Sequence, residues 1–487
     1  MNYLLNKTKY KIGIKQILFI IVLVFFSLSQ ILFLTSDADL SIASGSRGAW
    51  SDEGLNTCQI RNFIHHNQFN LLDCDNFLKS PLFSFFLFPF FKLFGISLLK
   101  ARAITLMFSF SLLLVFLIRK STVFIGISFI LTTALLLPIH QYSHLCVPEI
   151  YCSLLIIASI LTISNSQEKN KTTTSSIALL IFAILFKIQF IYILVIPIST
   201  SYIIYYREKS IDNKKQLFKA FLLVSLFLLS AFLLWKLPFK NEWSHILKIL
   251  PDFSIDQINI DQIKLNIKNN FISKRYIIHT IIFIISISSM IYNLRNKKYN
   301  KETIILIIAS LTWVILESHK LVYTYLPLRY LISLYISMGF FTSIIIGHQL
   351  NQTKLSDNKL SVSILIFVFI FNVLYLKKSF NERQYTVQIA NNYFKKLTND
   401  NDVIIGSWAP GITWETKCYS YPIWEKFLGK RDPLKYYNPN YIITEINQED
   451  SDSAYFKNNI ALNVNTKTII RLKIAQWNLK IYQTKIK

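Results

Sequence analysis

The stretch QILFIIVLVFFSLSQILFLT (residues 16–35) decides the class of fold. About 20 consecutive apolar residues are enough to cross the hydrocarbon core of a bilayer as a helix. Lysines stand before it at positions 7, 9, 11 and 15, and no small-residue cleavage site follows it. It therefore does not have the pattern of a cleavable signal peptide. The stretch predicts a first transmembrane helix with its N-terminus in the cytoplasm.

The composition of the whole chain is that of a membrane protein. Of the 487 residues, 52% are hydrophobic and 16% are charged, whereas soluble domains carry about 25% charged residues. This excludes disordered and collagen-like classes, and five Cys without a CxxC motif exclude a disulfide scaffold. We interpret the net charge of +25 as Lys and Arg in cytoplasmic loops near anionic lipid, so no nucleic-acid partner is expected.

Further apolar runs follow the first one along the chain. They cover residues 103–118, 122–139, 150–164, 176–187, 188–206, 220–238, 276–293, 302–317, 330–347 and 359–376. Another run, 81–98, contains Pro89, Lys92 and Gly95. We interpret it as a re-entrant or interfacial helix, because a full crossing there would put most loop charge outside. Lys187 is interpreted as the turn of a helical hairpin, because one continuous helix there would place the later basic loops outside the cytoplasm.

These runs predict a polytopic α-helical membrane protein with about 11 transmembrane helices. Residues 1–376 form the predicted transmembrane catalytic domain, in which the outer loop 36–102 carries an acidic motif. Residues 377–487 are denser in polar residues and form a predicted small α/β domain outside the cytoplasm. It is expected to contain an amphipathic helix at 384–397 and strands in three regions, 402–406, 441–445 and 468–482.

Nucleotide-binding motifs are missing from the sequence. It contains neither GxxxxGK[ST] nor GxGxxG. A transporter driven by nucleoside triphosphates is therefore not favoured.

The outer loop gathers six acids before the apolar run at residue 81. They are Asp37, Asp39, Asp52, Glu53, Asp73 and Asp75. Asp52 and Glu53 follow Ser51, a residue type that commonly caps a helix N-terminus. One interpretation is that both acids complement the positive end of a helix dipole. The other is that one carboxylate serves as a general base at the membrane surface.

Lys79 and Glu149 also lie where predicted helices begin on the outer side. Lys79 either anchors the chain at the interface or binds a lipid-linked phosphate. Glu149 follows Pro148, a favoured first-turn residue, so it either suits the helix dipole or adds a second carboxylate beside Asp52.

Three more polar residues are candidates for the same outer region. Arg329 and Tyr330 stand where another helix enters from outside, and an arginine there either grips a phosphate or marks the interface. His144 is near Glu149 in the sequence, and a lone histidine is more often a hydrogen-bonded loop residue than a ligand.

The order of these motifs resembles the GT-C membrane glycosyltransferases, in the branch of the protein O-mannosyltransferases and lipid A aminoarabinose transferases. The matching residues are Asp52-Glu53, KSPL (79–82), LFG (93–95), Arg102, VPEI (147–150), PLRYLISLY (327–335) and DVIIGSWAPGITWET (402–416). Ser80 replaces the first proline of the family's K-P-P-L stretch. The resemblance implies a GT-C fold and a multi-pass enzyme of the cytoplasmic membrane. It also implies inverting transfer of a sugar from a polyprenyl-phosphate donor to a lipid, glycan or protein acceptor on the outer face.

The resemblance further implies catalytic roles for three acids. Asp52 would be the base that deprotonates the acceptor hydroxyl, and Glu53 is its rival for that role. Glu149 would help to position the acceptor or a divalent metal, for which no ligand set is assigned.

Substrate-binding roles are predicted for five other residues, of which the resemblance implies those of Lys79, Arg102 and Arg329. They are Lys79, Arg102, His144, Arg329 and Tyr330. Lys79 and Arg329 would hold the phosphate of the donor. Arg102 would contact the phosphate or anchor the next helix.

Two other classes of protein compete with this interpretation. A flippase or exporter of lipid-linked glycans would need ionisable residues near the middle of its helices, whereas the polar residues here crowd the outer side. An O-antigen polymerase or ligase would depend on arginines in a large late outer loop, but the loop 239–275 contains only Arg275.

Overall fold

A computed structural model describes most of the chain. The described residues are 13–43, 47–74, 76–164, 169–236, 240, 259–324, 326–352, 358–423, 433–445 and 467–484. Predictions that concern Asp75, or the part of the loop 239–275 before residue 259, lie outside the described residues, apart from residue 240.

The described part of the chain is mainly helical. The α-helices are α1 (Ile14–Ile31), α2 (Gly48–His66), α3 (Asn76–Lys79), α4 (Pro81–Phe94), α5 (Leu98–Leu113), α6 (Val123–Phe129), α7 (Leu137–Tyr142), α8 (Glu149–Ile163), α9 (Lys169–Phe186), α10 (Val195–Glu208), α11 (Ile211–Ala231), α12 (Ile260–Asn270), α13 (Ile277–Arg295), α14 (Lys301–Glu317), α15 (Leu328–Gln352), α16 (Lys359–Asn381), α17 (Thr386–Leu397), α18 (Ala409–Ile412) and α19 (Pro433–Tyr437). Short 3₁₀ or π segments extend several of them. The strands are β1 (Val403–Gly406), β2 (Tyr419–Tyr421), β3 (Tyr441–Glu445), β4 (Lys467–Ile474) and β5 (Trp477–Gln483).

The protein is a multi-pass membrane protein. Within the described residues, eight helical segments are long and apolar enough to cross a bilayer. They are Ile14–Ile31, Leu98–Leu117, Ile188–Glu208, Ile211–Leu234, Ile277–Arg295, Lys301–Val322, Leu328–Gln352 and Lys359–Leu397. Shorter apolar helices cover the remaining predicted runs. Within the described residues every predicted run is therefore largely helical, while the number of 11 crossings stays a prediction.

Helix α15 lies at the centre of the bundle. In its apolar window 83% of the residues are buried, against 11% in the window of Ile211–Leu234. Helix α11 thus leaves most of its apolar surface facing outward, as expected for a helix in contact with lipid.

The chain reverses direction at Lys187, as the sequence predicted. Helix α9 ends at Phe186, and Lys187 has an extended backbone with φ −157° and ψ 105°. Its ammonium binds Glu149 at the start of α8, whereas the far end of α10 carries Glu208, paired with Lys301 at 2.6 Å. The segments before and after Lys187 therefore run in opposite directions.

The excess of Lys and Arg predicts that the loops around Arg119, Glu208, Lys298 and Gln352 are cytoplasmic. These loops meet at one end of the bundle, which we call the basic end. Hydrogen bonds and ion pairs join them: Arg119 to Ser164 and Glu302, Lys301 to Glu208, Asn351 to the carbonyl of Ser121, and Gln352 to the carbonyl of Lys298. The start of α1 lies there too, since Lys15 stands over the ring of Phe124 at 4.7 Å. This clustering is the arrangement that the positive-inside pattern predicts.

Helix α4 begins and ends beside the opposite end of the bundle. Before it, the backbone N–H of Phe77 donates to Gln59 of α2 at 3.1 Å. After it, the N–H of Leu98 donates to Glu415 at 3.2 Å. Since both flanking segments contact the same layer, this geometry supports an interfacial helix over a crossing one.

The C-terminal segment forms a mixed five-stranded sheet with the order β2-β1-β3-β5-β4. Strands β2, β1 and β3 are parallel, and β5 is antiparallel to both β3 and β4. All predicted strand regions are strands. The helical spacing of Ile389, Tyr393, Phe394 and Leu397 predicts that they form the apolar face of α17. This prediction was partly wrong, because Val387, Ala390 and Phe394 are buried whereas Ile389 is 62% exposed. The proposed boundary at residue 377 stays a prediction.

Candidate active site

Helix α2 carries the acidic pair and starts one turn earlier than the sequence suggested. Its first residue is Gly48 and its N-cap is Arg47. The prediction that Ser51 caps the helix was wrong, because the Ser51 hydroxyl instead donates to the Arg47 carbonyl at 3.2 Å. The first turn contains no acid, so the dipole interpretation of Asp52 and Glu53 loses its basis.

Asp52 lies against the start of α15. Its Oδ2 is 2.9 Å from Nη1 of Arg329, and the two side chains are 13% and 20% exposed. Burial raises the pKa of Asp52 above its usual range; Arg329 opposes this shift and the nearby Glu149 adds to it. Asp52 is therefore a partly accessible carboxylate with an unusually high proton affinity.

Glu53 faces a different side of α2 and is completely engaged. Its carboxylate accepts hydrogen bonds from Nε and Nη2 of Arg102 at 2.9 and 2.6 Å and from the backbone N–H of Cys146 at 2.8 Å. Arg102, which is 1% exposed, also donates to the carbonyls of Leu34 and Ser36 at 3.0 and 2.7 Å. This network ties the segment after α1, α2, α5 and the segment before α8 together.

Glu149 starts α8 directly after Pro148, as predicted. Its Oε1 accepts from Nζ of Lys187 at 2.5 Å. Its Oε2 is buried and has no hydrogen-bond partner among the described residues. The Glu149 and Lys187 charges both act on Asp52, so the structure brings two carboxylate–cation pairs together.

The other predicted binding residues occupy different environments. Lys79 is half-buried at the end of α3, and Tyr330 lies next to Arg329, whose guanidinium is 5.3 Å from its ring. His144 is fully buried, with Nδ1 2.6 Å from Oε1 of Gln30. Their contacts with substrate stay predictions.

Three other acids of the outer loop have structural partners. Asp37 accepts from the backbone N–H groups of Thr386 and Val387 and so caps α17 from a distant part of the chain. Asp39 accepts from the backbone N–H of Ser41 at 2.8 Å. The carboxylate of Asp73 accepts from the hydroxyls of Tyr419 and Tyr437.

A buried ion pair that the sequence did not indicate joins α2 to the sheet. Nη1 of Arg47 donates to both oxygens of Glu445 at 2.7 and 2.8 Å, and Glu445 also accepts from the indole of Trp408. Both charged residues are buried. No local pattern could have revealed a pair separated by 398 positions.

A second missed network surrounds Glu317 at the end of α14. This carboxylate is fully buried and accepts from Tyr192, Trp313, Lys320 and Ser333 at 2.5–2.9 Å. The spacing of Trp313, Glu317 and Lys320 places them on one helical face, which was a usable signal in the sequence.

The described residues do not fit a metal centre. No group of three or more His, Cys, Asp and Glu side chains among them could hold a metal ion. Asp52 and Glu149 each already have a cationic partner.

An open polar cavity of about 740 Å³ lies beside the start of α15. It reaches Leu328, the residue before Arg329, and is lined by the cations Lys274, Arg275 and Lys378. Amide side chains supply much of the remaining lining, and none of the described lining residues is acidic. Such a lining suits an anionic, hydrogen-bonding group.

The fold defines the class of protein: a multi-pass membrane protein with the GT-C fold. The chain is similar to the crystal structure of ArnT from Cupriavidus metallidurans in the apo state, with a TM-score of 0.63, 9% identity and coverage of 96% of this chain and 97% of that one. For ArnT bound to undecaprenyl phosphate the TM-score is 0.57 at 11% identity, with the same coverage. The expected likeness to the lipid A aminoarabinose transferases is thus confirmed at the level of the fold.

A third similar structure is the archaeal oligosaccharyltransferase AglB from Archaeoglobus fulgidus in complex with an inhibitory peptide and a dolichol-phosphate. Its TM-score is 0.48 at 8% identity, over 88% of this chain and 69% of that one. No protein-family model and no curated protein sequence matches the chain.

Proposed function

We propose that this protein is an integral-membrane glycosyltransferase. It moves a sugar from a polyprenyl-phosphate donor to a hydroxyl of a lipid, glycan or protein acceptor, on the outer face of the cytoplasmic membrane and with inversion. The observation that carries the proposal is the pair Asp52–Arg329 at 2.9 Å beside Glu149–Lys187. It is supported by a fold shared with ArnT, which has been solved with undecaprenyl phosphate bound.

Asp52 is the proposed general base, and Glu53 is not. Both oxygens of Glu53 are bound by Arg102, and Oε1 also accepts from the N–H of Cys146, so it has little capacity to accept a proton from substrate. Asp52 has one guanidinium partner and remains partly exposed. Its raised pKa brings its basicity closer to what a general base needs near neutral pH.

The proposed reaction is a single displacement. The acceptor oxygen attacks the anomeric carbon while Asp52 takes its proton. The bond between that carbon and the phosphate oxygen breaks, and the lipid phosphate leaves with the electron pair. Arg329 and Lys79 neutralise the negative charge on this leaving group. Glu149, held by Lys187 near Asp52, helps to position the acceptor.

Arg102 and His144 act as supports for this site and do not bind the donor. Arg102 is 1% exposed and occupied by Glu53 and two carbonyls. His144 is fully buried and contacts Gln30.

The experiment that tests the function is mass spectrometry of glycolipids and glycoproteins from cells with and without this protein. The proposal expects one acceptor to lose one sugar, and complementation with Asp52→Asn to leave that sugar missing. Accumulation of an unmodified lipid-linked glycan on the inner leaflet would instead indicate a flippase. Shorter polymer chains or unligated polymer would indicate a polymerase or ligase.

Donor binding can be tested with the purified protein. Removing the charge of Arg329 or Lys79 should weaken binding of undecaprenyl phosphate by about 1.5–3 kcal/mol, the range for hydrogen bonds to charged groups. If both residues only anchor helices at the interface, Arg329→Ala and Lys79→Ala will change thermal stability and leave the affinity of the folded protein unchanged.

A further inference from the structure

The first turn of α2 packs directly on the guanidinium of Arg329. Gly48 has no side chain, and a Cβ built on it would lie closer than 3.0 Å to Nη1 of Arg329. The same Cβ would be 3.2 Å from Cζ of Arg329 and 3.1 Å from Oδ2 of Asp52. The space occupied by the guanidinium therefore exists only because residue 48 is a glycine.

This contact differs in kind from that of the next glycine in the helix. A Cβ on Gly54 would meet the backbone atoms of Pro410 and Gly411, which cannot move without shifting α18. The atoms facing Gly48 belong to the end of a long flexible side chain, so an added methyl group would displace Arg329 and not the backbone.

We infer that Gly48 is a positioning residue, which seats the Arg329 guanidinium against Asp52 and at the place where the donor phosphate is neutralised. The inference rests on the proposed function of these two residues. Gly48 is not a catalytic residue, since it acts only through Arg329. A methyl group at position 48 would push the guanidinium away from both partners.

The displacement would also change the charge around Asp52. Five charged or titratable groups from the packed elements face it: Arg329, Glu149, Lys187, Arg47 and Tyr142. Of these, Arg329 is the one that Gly48 contacts. Moving this cation away removes its stabilisation of the carboxylate, so proton affinity at Asp52 rises and the acidic limb of activity moves to higher pH.

The first test measures binding of undecaprenyl phosphate to the full-length protein in detergent. Gly48→Ala should weaken binding about as much as Arg329→Ala does, with an unchanged melting temperature. Transfer of the sugar should fall about 100-fold, as expected for a misplaced reacting group. Gly411→Ala is the matched control, because its Cβ would be 3.5 Å from the Trp50 carbonyl, an ordinary contact. It should behave as wild type.

A double-mutant cycle decides whether Gly48 acts through Arg329. In the Arg329→Ala background no guanidinium occupies the space beside residue 48, so Gly48→Ala should cause no further loss of binding. An equal loss in both backgrounds, or wild-type binding by Gly48→Ala, would overturn the inference. Failure of the proposed function has a different signature: the wild-type protein itself would neither bind undecaprenyl phosphate nor transfer a sugar.

Discussion

Two neighbouring acids on one helix have opposite environments. Successive residues of an α-helix point about 100° apart, so Asp52 faces Arg329 while Glu53 faces Arg102. Burial disfavours the charged form of Asp52, and Arg329 offsets this cost only in part. Glu53 is the centre of a saturated network. The two residues should therefore respond differently to loss of charge.

Asp52→Asn should abolish most turnover without unfolding the protein. The amide keeps the shape but cannot take the acceptor's proton, and a positioned general base contributes about 10²–10⁴-fold. Because burial favours the neutral form of Asp52, the variant should melt at or above the wild-type temperature. Turnover and thermal unfolding in detergent measure the two effects.

Glu53→Gln serves as the comparison and should have the reverse phenotype. It leaves Arg102 buried without its counter-charge, and breaking a buried pair in this way costs about 3–5 kcal/mol. The melting temperature should fall, while the fraction that folds keeps turnover close to normal. If Asp52→Asn is active and Glu53→Gln is stable but inactive, the general base is Glu53 and not Asp52.

The pH dependence of transfer follows from the same carboxylate. A general base works in its deprotonated form, so activity should fall as the pH drops through the pKa of Asp52. Burial raises this pKa, which places the acidic limb above the value of about 3.9 for an ordinary aspartate. Arg329→Gln should move the limb to still higher pH. Two results would contradict Asp52 as the base. One is loss of activity only at or below the pKa of an ordinary aspartate, and the other is an acidic limb that Arg329→Gln leaves unchanged.

At the scale of elements, α2 is held between the helix bundle and the sheet. Arg61 donates to the carbonyl of Pro410 at 2.6 Å and stacks on Trp414 at 4.2 Å. Asn62 donates to the carbonyl of Ser420 at 2.9 Å. Together with the pair Arg47–Glu445, these contacts fix the helix that carries Asp52.

Gly54 is the point of closest approach between α2 and α18. Alanine normally stabilises a helix by about 1 kcal/mol relative to glycine. Here its Cβ would be closer than 3.0 Å to the backbone of Pro410 and Gly411, and such overpacking costs about 1–3 kcal/mol. Gly54→Ala should therefore lower the melting temperature, and Gly411→Ala should not. A stabilised Gly54→Ala would show that the two helices are not docked this closely.

At the scale of the whole molecule, the basic end and the candidate active site lie at opposite ends of the bundle. The basic end joins the loops that carry Arg119, Lys298 and Lys301. The sheet lies at the other end, because Glu445 of β3 binds Arg47 beside the site. Strand β5 pairs with β3, so this last strand is also on the side of Asp52.

This arrangement predicts the orientation in the membrane. A reporter that is active only outside the cytoplasm should be active when fused after Lys487 and silent when inserted after Lys298, because loops rich in Lys and Arg stay in the cytoplasm. Protein levels of both fusions provide the control. The reverse pattern would invert the topology, and equal activity would mean that the basic end and the sheet share one side.

The sequence by itself determined the elements of this protein. Apolar runs of sufficient length become helices because the bilayer leaves backbone groups no other partners. The turn at Lys187 and the strands of the tail also follow from local composition, and so does the acidic helix in the outer loop. Short motifs such as KSPL and VPEI identified the class of fold.

Only the tertiary structure decided which residues work together. Asp52 meets Arg329, Glu149 meets Lys187, and Arg47 meets Glu445; these partners are far apart in the sequence and leave no periodic signal. Local rules also misplaced the start of α2, because its N-cap is an arginine held by a distant strand. The physical reason is common to all of these cases. A propensity acts within a few residues, whereas a charge finds its partner only after the helices have packed.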